Sequence, residues 1–316
     1  MDHDSQKFMN FLQQGSLDGL QSIPKSDLHS HAGRGGRLCY ISAWAHADIA
    51  PPRASFASLG EMQKWFEQNV KVHCPGLSGY LKRIEASFAQ AQKDSIRLLS
   101  LSFGPDEVDA LGGMEPFMKT MDELCASLAP DTTFLPELAL DRACDVEKTY
   151  GKVEEILSYK WFASMDICCN ELAQPIRPFQ KIYRLAKDMG LTLKAHVGEF
   201  GTAEDVLEAC EALELNEVHH GIAAAASEPV MNWLARNNIR LNVCPTSNVM
   251  LERVKSYKEH PIRILYGHGI PVTINTDDLL IFNQSVSQEY MNIFQAGLMS
   301  AEELDEIRLN GLTYNN

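Results

Sequence analysis

Extended, β-branched runs alternate with amphipathic helical runs along this chain, and that alternation constrains the fold more than any other feature. Strands joined through helical crossovers lie parallel, and a parallel sheet needs cover on its faces. The extended runs fall at Ser26–His31, Ile96–Phe103, Thr133–Leu140, Phe162–Ile167, Thr192–His196, Glu217–His220, Arg240–Val243 and Val272–Asn275. Between them, segments such as Gly79–Lys93, Phe117–Leu128, Phe179–Met189, Ala203–Leu213 and Pro229–Asn237 repeat apolar residues at three and four, as helices packed outside a barrel do. Eight such strands predict an α/β fold of the TIM-type (β/α)8 barrel class, with residues 1–316 forming one domain. The longest interval between strands, His31 to Ile96, predicts additional helices between the first and second strands. Leu59, Met62 and Phe66 share one helical face there, suited to a lid or to ordinary packing on the barrel.

Four short strings end extended runs, where barrel enzymes keep their chemistry: His29-Ser-His31, His196-Val-Gly-Glu199, His219-His220-Gly221 and Asn275-Thr-Asp277-Asp278. His29 and His31 are two apart on a strand, so both imidazoles point to one face and can meet one cation. His196 and Asp277 stand at equivalent strand ends and supply a third nitrogen and a carboxylate. Three imidazoles and one carboxylate suit a divalent transition metal, here one Zn²⁺ per chain. Such an ion would lower the pKa of a bound water toward ~7. His220 is placed to orient that water and take its proton, with Asp277 assisting as ligand and acceptor. His219, on the alternate side of its strand, is expected to be structural.

From Pro24-Lys-Ser-Asp-Leu-His-Ser-His through Ser164-Met-Asp-Ile-Cys-Cys-Asn-Glu171, His196-Val-Gly-Glu, His220-Gly, Val243-Cys-Pro-Thr-Ser-Asn248 and Val272-Thr-Ile-Asn-Thr-Asp-Asp-Leu-Leu-Ile-Phe282, the order and spacing resemble the adenosine deaminase family of metal-dependent hydrolases. The resemblance implies hydrolytic deamination at the 6-amino group of adenosine or a related purine nucleoside. Glu199 would protonate N1 of the purine, helped by burial that raises a carboxyl pKa. Asp278 would contact N7, the backbone at Cys169 would contact N3, and His31 would border the substrate. The family usually has glycine where Cys169 stands. It also commonly carries an aspartate for the ribose 5′-hydroxyl where this chain has Gly33, within Ala32-Gly33-Arg34-Gly35-Gly36-Arg37. Arg34 and Arg37 are two-pronged anion donors, so a 5′-modified or phosphorylated adenosine is an alternative substrate. Hydrolysis of another bond, such as an amide or ester, and a non-catalytic purine-binding barrel are further readings.

With 28 basic against 42 acidic residues the net charge is −14, which disfavours nucleic acid as a partner. The polar start Met1-Asp-His-Asp-Ser-Gln-Lys lacks the apolar segment of a secretory signal, and no run approaches a span of ~20 apolar residues. These features predict a cytoplasmic protein without membrane contact. The eight cysteines form no CxxC pair, Cys168 and Cys169 are adjacent, and nearly all are expected as small buried hydrophobes kept reduced. Oligomeric state and pathway are not legible.

Overall fold

The structure is a computed structural model that describes residues 3–313. Its centre is one sheet of eight parallel strands in sequence order: β1 (Lys25–His31), β2 (Ile96–Phe103), β3 (Thr133–Asp141), β4 (Ser164–Cys168), β5 (Thr192–Val197), β6 (Glu217–His220), β7 (Arg240–Val243) and β8 (Val272–Ile274). The ring is completed after β8. There the Asp277 N–H donates to His29 O at 2.9 Å and the His31 N–H donates to Asp277 O at 3.2 Å. This is the TIM-type barrel that the alternation predicts.

Strand alternation sorts the side chains. On β5, Leu193, Ala195 and Val197 join the apolar layer shared with the outer helices, whereas Lys194 and His196 lie with the polar groups of the barrel interior. The register carries this inward set around the ring, pairing Lys194 with Glu217, His196 with His219, and His219 with Asn242. The interior is therefore polar and internally paired. Lys194 Nζ lies 2.8 Å from Glu137 Oε2 and 3.7 Å from Glu217 Oε2, and Asn242 Nδ2 donates to Glu217 Oε2 at 2.8 Å. Buried charges persist only with such partners.

The interval before β2 holds helices Leu38–Ala45, Leu59–Asn69 and Gly76–Lys93, as its length predicts. Six strand boundaries differ from expectation by one or two residues: β1 begins at Lys25, β3 ends at Asp141, β4 begins at Ser164 and ends at Cys168, β5 ends at Val197 and β8 ends at Ile274. Strand β4 begins at Ser164 rather than Phe162, because Trp161 and Phe162 turn into an aromatic cluster with Phe103, Phe117 and Phe134. Strand β8 ends at Ile274, although Asn275 N–H still donates to Val243 O at 2.9 Å. Met1 and Asp2 of the polar start lie outside the described residues. The rest of that stretch opens helix His3–Gln14, which buries Phe8, Met9 and Leu12. No helix among the described residues is long and apolar enough to cross a membrane.

On helix Val286–Gln295, Glu289 is fully buried and its carboxyl accepts the Thr246 N–H at 3.1 and 3.3 Å. Burial pushes it up from 4.5 to about 8. Between these values the folded chain holds a proton that the unfolded chain has released, so its contribution is intact below pH 4.5 and lost as pH rises through 8. Glu289→Gln, which stays neutral, should therefore gain stability relative to the wild type as pH rises from about 5 to 8.5, by an amount on the order of a few kcal/mol. Thermal unfolding of both proteins across that range checks this, and a pH-independent difference would refute it.

Candidate active site

The strand ends bring the predicted residues to one place. His29 Nε2 and His196 Nε2 lie 2.9 Å apart, and His29 Nε2 lies 3.7 Å from Asp277 Oδ1. His31 Nε2 is 3.3 Å from the same oxygen. His220 Nε2 is 3.9 Å from Asp277 Oδ2 and 3.7 Å from Glu199 Oε2. One tight cluster comprises His29, His196, His220 and Asp277, and a second joins His31 to Asp277 and Asp278. Asp277 is common to both.

Backbone conformation does much of the gathering. Cys169 after β4, His220 ending β6 and Asp277 after β8 have φ of 71°, 63° and 59°, in the left-handed region that side-chain-bearing residues avoid. At His220 this breaks the strand alternation. Both neighbouring histidines consequently reach the interior, and His219 stacks on His29 at 3.9 Å with its Nε2 3.1 Å from Glu137 Oε1. His219 is thus part of the polar floor beneath the site rather than on the opposite side of the strand. At Gly198, φ is +74° and a Cβ would stand 2.3 Å from Val206 Cγ2, so only glycine makes the turn that carries Glu199.

Each imidazole is held by the nitrogen pointing away from the centre: His29 Nδ1 at 3.1 Å from Asn242 O, His31 Nδ1 at 2.8 Å from Ser102 Oγ, and His196 Nδ1 at 2.9 Å from Asp166 Oδ2. Outer partners of this kind fix ring orientation and leave Nε2 for a metal. Burial, with neighbouring imidazoles crowding it, holds His29 well below the usual histidine value and hence neutral, the form that coordinates metal. Burial also acts to lower His31, but its hydrogen bond to Asp277 and the charges of Asp278 and Asp277 outweigh it and raise this group to about 10. The carboxylates thus call for positive charge at the centre. The donor chemistry of His29, His196, His220 and Asp277, whose ligand atoms all lie within 4.8 Å of one another, suits a divalent cation, with His31 beside Asp277.

Two further nitrogens set the tautomer of His220. The Ile262 N–H donates to His260 Nδ1 at 3.1 Å, and burial holds His260 down to about 3, so its proton sits on Nε2 and faces Asn248 Oδ1 at 3.2 Å. The Asn248 amide is thereby oriented to donate to His220 Nδ1 at 3.2 Å. Burial likewise pushes His220 to about 3. The neutral ring then carries its proton on Nε2, facing Asp277 and Glu199.

A cavity of about 630 Å³ opens over this centre, bordered by His31, Cys169, His196, Glu199, His220, Asp277 and Asp278. Burial and the nearby Asp277 and Glu171 charges hold the Glu199 carboxyl well above the usual range. Glu199 Oε1 and Asp278 Oδ1 are both buried without a hydrogen-bond partner among the described residues. Leu59, Met62 and Phe66, on helix Leu59–Asn69, form an apolar wall of the cavity.

The glycine–arginine loop differs from expectation. Arg37 does not border the cavity; its Nη2 donates to Gln288 Oε1 at 2.7 Å, on helix Val286–Gln295. Arg34 does border it, but its Nη1 donates to Asp278 Oδ2 at 2.8 Å, its Nη2 donates to Gln63 Oε1 at 2.5 Å, and its guanidinium lies 4.7 Å over the Phe66 ring. The neighbouring glycine serves packing, since a Cβ on Gly36 would lie 2.3 Å from Ala86 Cβ.

Sequence reasoning missed Asp166, Glu171, Asn248 and His260. Asp166 carries a legible signal, an acid inside the apolar β4 run Met165-Asp-Ile167. Glu171 ends one of the strings that resemble the family, but its contacts give its role: its carboxylate collects the N–H groups of Gly198 at 2.6 Å, Gly201 at 2.8 Å and Phe200, and so holds the turn bearing Glu199.

A parallel barrel with titratable side chains converging on a cavity above its strand ends belongs to the class of barrel enzymes. Within that class the chain belongs to the adenosine deaminase family, whose family model matches residues 84–315. It is accordingly a hydrolase acting on C–N bonds, of a metal-dependent family. A putative adenosine/adenine deaminase of Treponema pallidum is 29% identical over 93% of this chain and 99% of its own length. The crystal structure of an adenine deaminase from Arthrobacter aurescens superposes with a TM-score of 0.79 at 21% identity, covering 92% of each chain. An amidohydrolase from Burkholderia ambifaria with bound Zn gives a TM-score of 0.77 at 21% identity, covering 94% of this chain and 86% of that one.

If Asp166 orients His196 toward a cation, Asp166→Asn should weaken metal affinity by about 10- to 100-fold while the fold survives. Competition with a chromogenic chelator measures this directly. Unchanged affinity would remove Asp166 from the metal's support.

Proposed function

We propose that the chain is a zinc-dependent aminohydrolase that removes the 6-amino group of adenosine or a close purine relative as ammonia. The observation that carries this reading is the pair of buried, unpartnered carboxylate oxygens, Glu199 Oε1 and Asp278 Oδ1, on residues bordering the cavity above the histidine–aspartate centre. Native proteins rarely leave such atoms unmet, so they mark where a substrate's polar edge belongs.

His29, His31, His196 and Asp277 would hold the cation, which when bound lowers the pKa of water toward ~7. The His220 Nε2–H orients the attacking water, and the Asp277 carboxylate takes one of its protons. This assigns His220 the orienting part and Asp277 the accepting part, because the chain of bonds through His260 and Asn248 occupies the His220 lone pair at Nδ1. Glu199, held protonated by its surroundings, delivers its proton to N1 as the water oxygen bonds to C6. The C6–N bond then breaks. The amino group leaves as ammonia with the proton held by Asp277, and the remaining hydroxyl proton restores Glu199.

Adenosine is favoured over a 5′-anionic substrate because neither loop arginine offers a free fork to the cavity: Arg34 is engaged by Asp278 and Gln63, and Arg37 is turned to Gln288. Release of ammonia from adenine, adenosine, deoxyadenosine and AMP, and of methylamine from N6-methyl-AMP, tests this choice. Turnover of the nucleotides alone would overturn it, and no release from any member would overturn deamination.

Glu199→Gln should retain metal and fold but lose turnover by roughly 10²–10⁴-fold, since an amide cannot deliver the N1 proton. His220→Ala should be similarly impaired, whereas His220→Gln, which keeps an N–H donor, should recover part of the rate. Equal loss in both His220 variants would argue for the imidazole as proton acceptor. Near wild-type release from Glu199→Gln would exclude Glu199 as the acid.

A further inference from the structure

At the end of β4, Cys168 and Cys169 bring two sulfur atoms to 3.4 Å. Both border the cavity, Cys168 half-buried and Cys169 exposed, and neither is in a disulfide. Consecutive side chains of a strand point to opposite faces, so this approach depends on leaving the strand. Cys169 does so with φ of 71°, in the left-handed region that residues with a side chain avoid. The expectation of inert, buried cysteines does not hold for this pair.

We propose that Cys168 and Cys169 form a reversible oxidation site, closed to a disulfide by exchange with a low-molecular-weight disulfide such as oxidised glutathione, and that closure slows turnover by moving the backbone at Cys169 on the cavity wall. In the first step the Cys169 thiolate attacks one sulfur of oxidised glutathione. Its S–S bond breaks, one glutathione thiolate leaves, and a mixed disulfide forms on Cys169. Cys168 then gives up its proton to the departed thiolate and attacks Cys169 Sγ, displacing the second glutathione. Two cysteine thiols are oxidised while one glutathione disulfide is reduced to two thiols.

The local chemistry supports this order. The hydrogen bond between the thiols lowers Cys169 below its ordinary value and raises Cys168 well above it, so the exposed sulfur is the nucleophile and the inner one holds its proton. Consecutive Cα atoms across a trans peptide stand about 3.8 Å apart, shorter than the usual disulfide span of about 4.4–6.8 Å. The closed ring is therefore strained and easily reduced, as a reversible modification requires. Closure also reorients the peptide at Cys169, the backbone expected to meet purine N3. This last consequence rests on the deaminase reading.

The test uses the full-length, metal-loaded enzyme incubated with oxidised glutathione, followed by intact mass, peptide mapping and ammonia release. The expected product has lost two hydrogen masses and carries a bond between positions 168 and 169. Its deaminase rate should fall at least about tenfold and return with dithiothreitol. Cys168→Ser should instead trap one glutathionyl group on Cys169, which the wild type resolves. A bond or lasting adduct on Cys39 or Cys144 instead, or a 168–169 bond with full activity, would overturn the proposal. An enzyme inactive even when reduced would overturn the deaminase reading, and the mapping would still decide the thiol site by itself.

Discussion

Asp277 is the residue on which the rest of the arrangement turns. Its backbone joins the end of β8 to β1, donating to His29 O and accepting from the His31 N–H, so one peptide closes the barrel beside two of the histidines. Its left-handed φ of 59° turns the carboxylate inward, to within 3.3 Å of His31 and 3.7 Å of His29. Ring closure and construction of the site are therefore one event. A change that shifted β8 against β1 would separate the ligands as it opened the barrel.

The polar interior beneath that point explains why the fold tolerates so many buried imidazoles. Lys194, Glu137, Glu217, Asn242 and His219 satisfy one another in the register of β3, β5, β6 and β7. An unpartnered polar group at this depth costs on the order of 1–3 kcal/mol, and a charged one more. Of the buried side-chain atoms left unmet among the described residues, those of Glu199 and Asp278 belong to residues that border the cavity. The same comparison separates Arg34 from an anion receptor: its donors are engaged by the protein, and it ties helix Leu59–Asn69 to the loop after β8.

Much of the fold and of the centre was legible because it rests on local rules. Period-two and period-three-to-four patterns mark strands and helices, and residues placed at strand ends in a parallel barrel share one face. The histidines at 29, 31 and 196, Glu199 and Asp277 follow from those rules together with their chemical type. Their holders do not. Glu171 acts through backbone N–H groups some 27 to 30 positions away, and His260 acts on His220 through Asn248, contacts that no periodicity encodes.

By itself, then, the sequence determined the barrel, the strand ends that meet at its mouth, and the donor types gathered there, since each follows from hydrophobic period and residue chemistry. The tertiary structure alone decided where individual side chains turn. Positive φ at Cys169, His220 and Asp277 reverses the alternation that a strand pattern assumes, bringing His220 inside beside His219 and the two sulfurs together. It also sent Arg37 to Gln288 and Arg34 to Asp278, because a guanidinium follows the carboxylate or amide that packing puts within reach, 244 and 251 positions along the chain for Arg34 and Arg37 respectively.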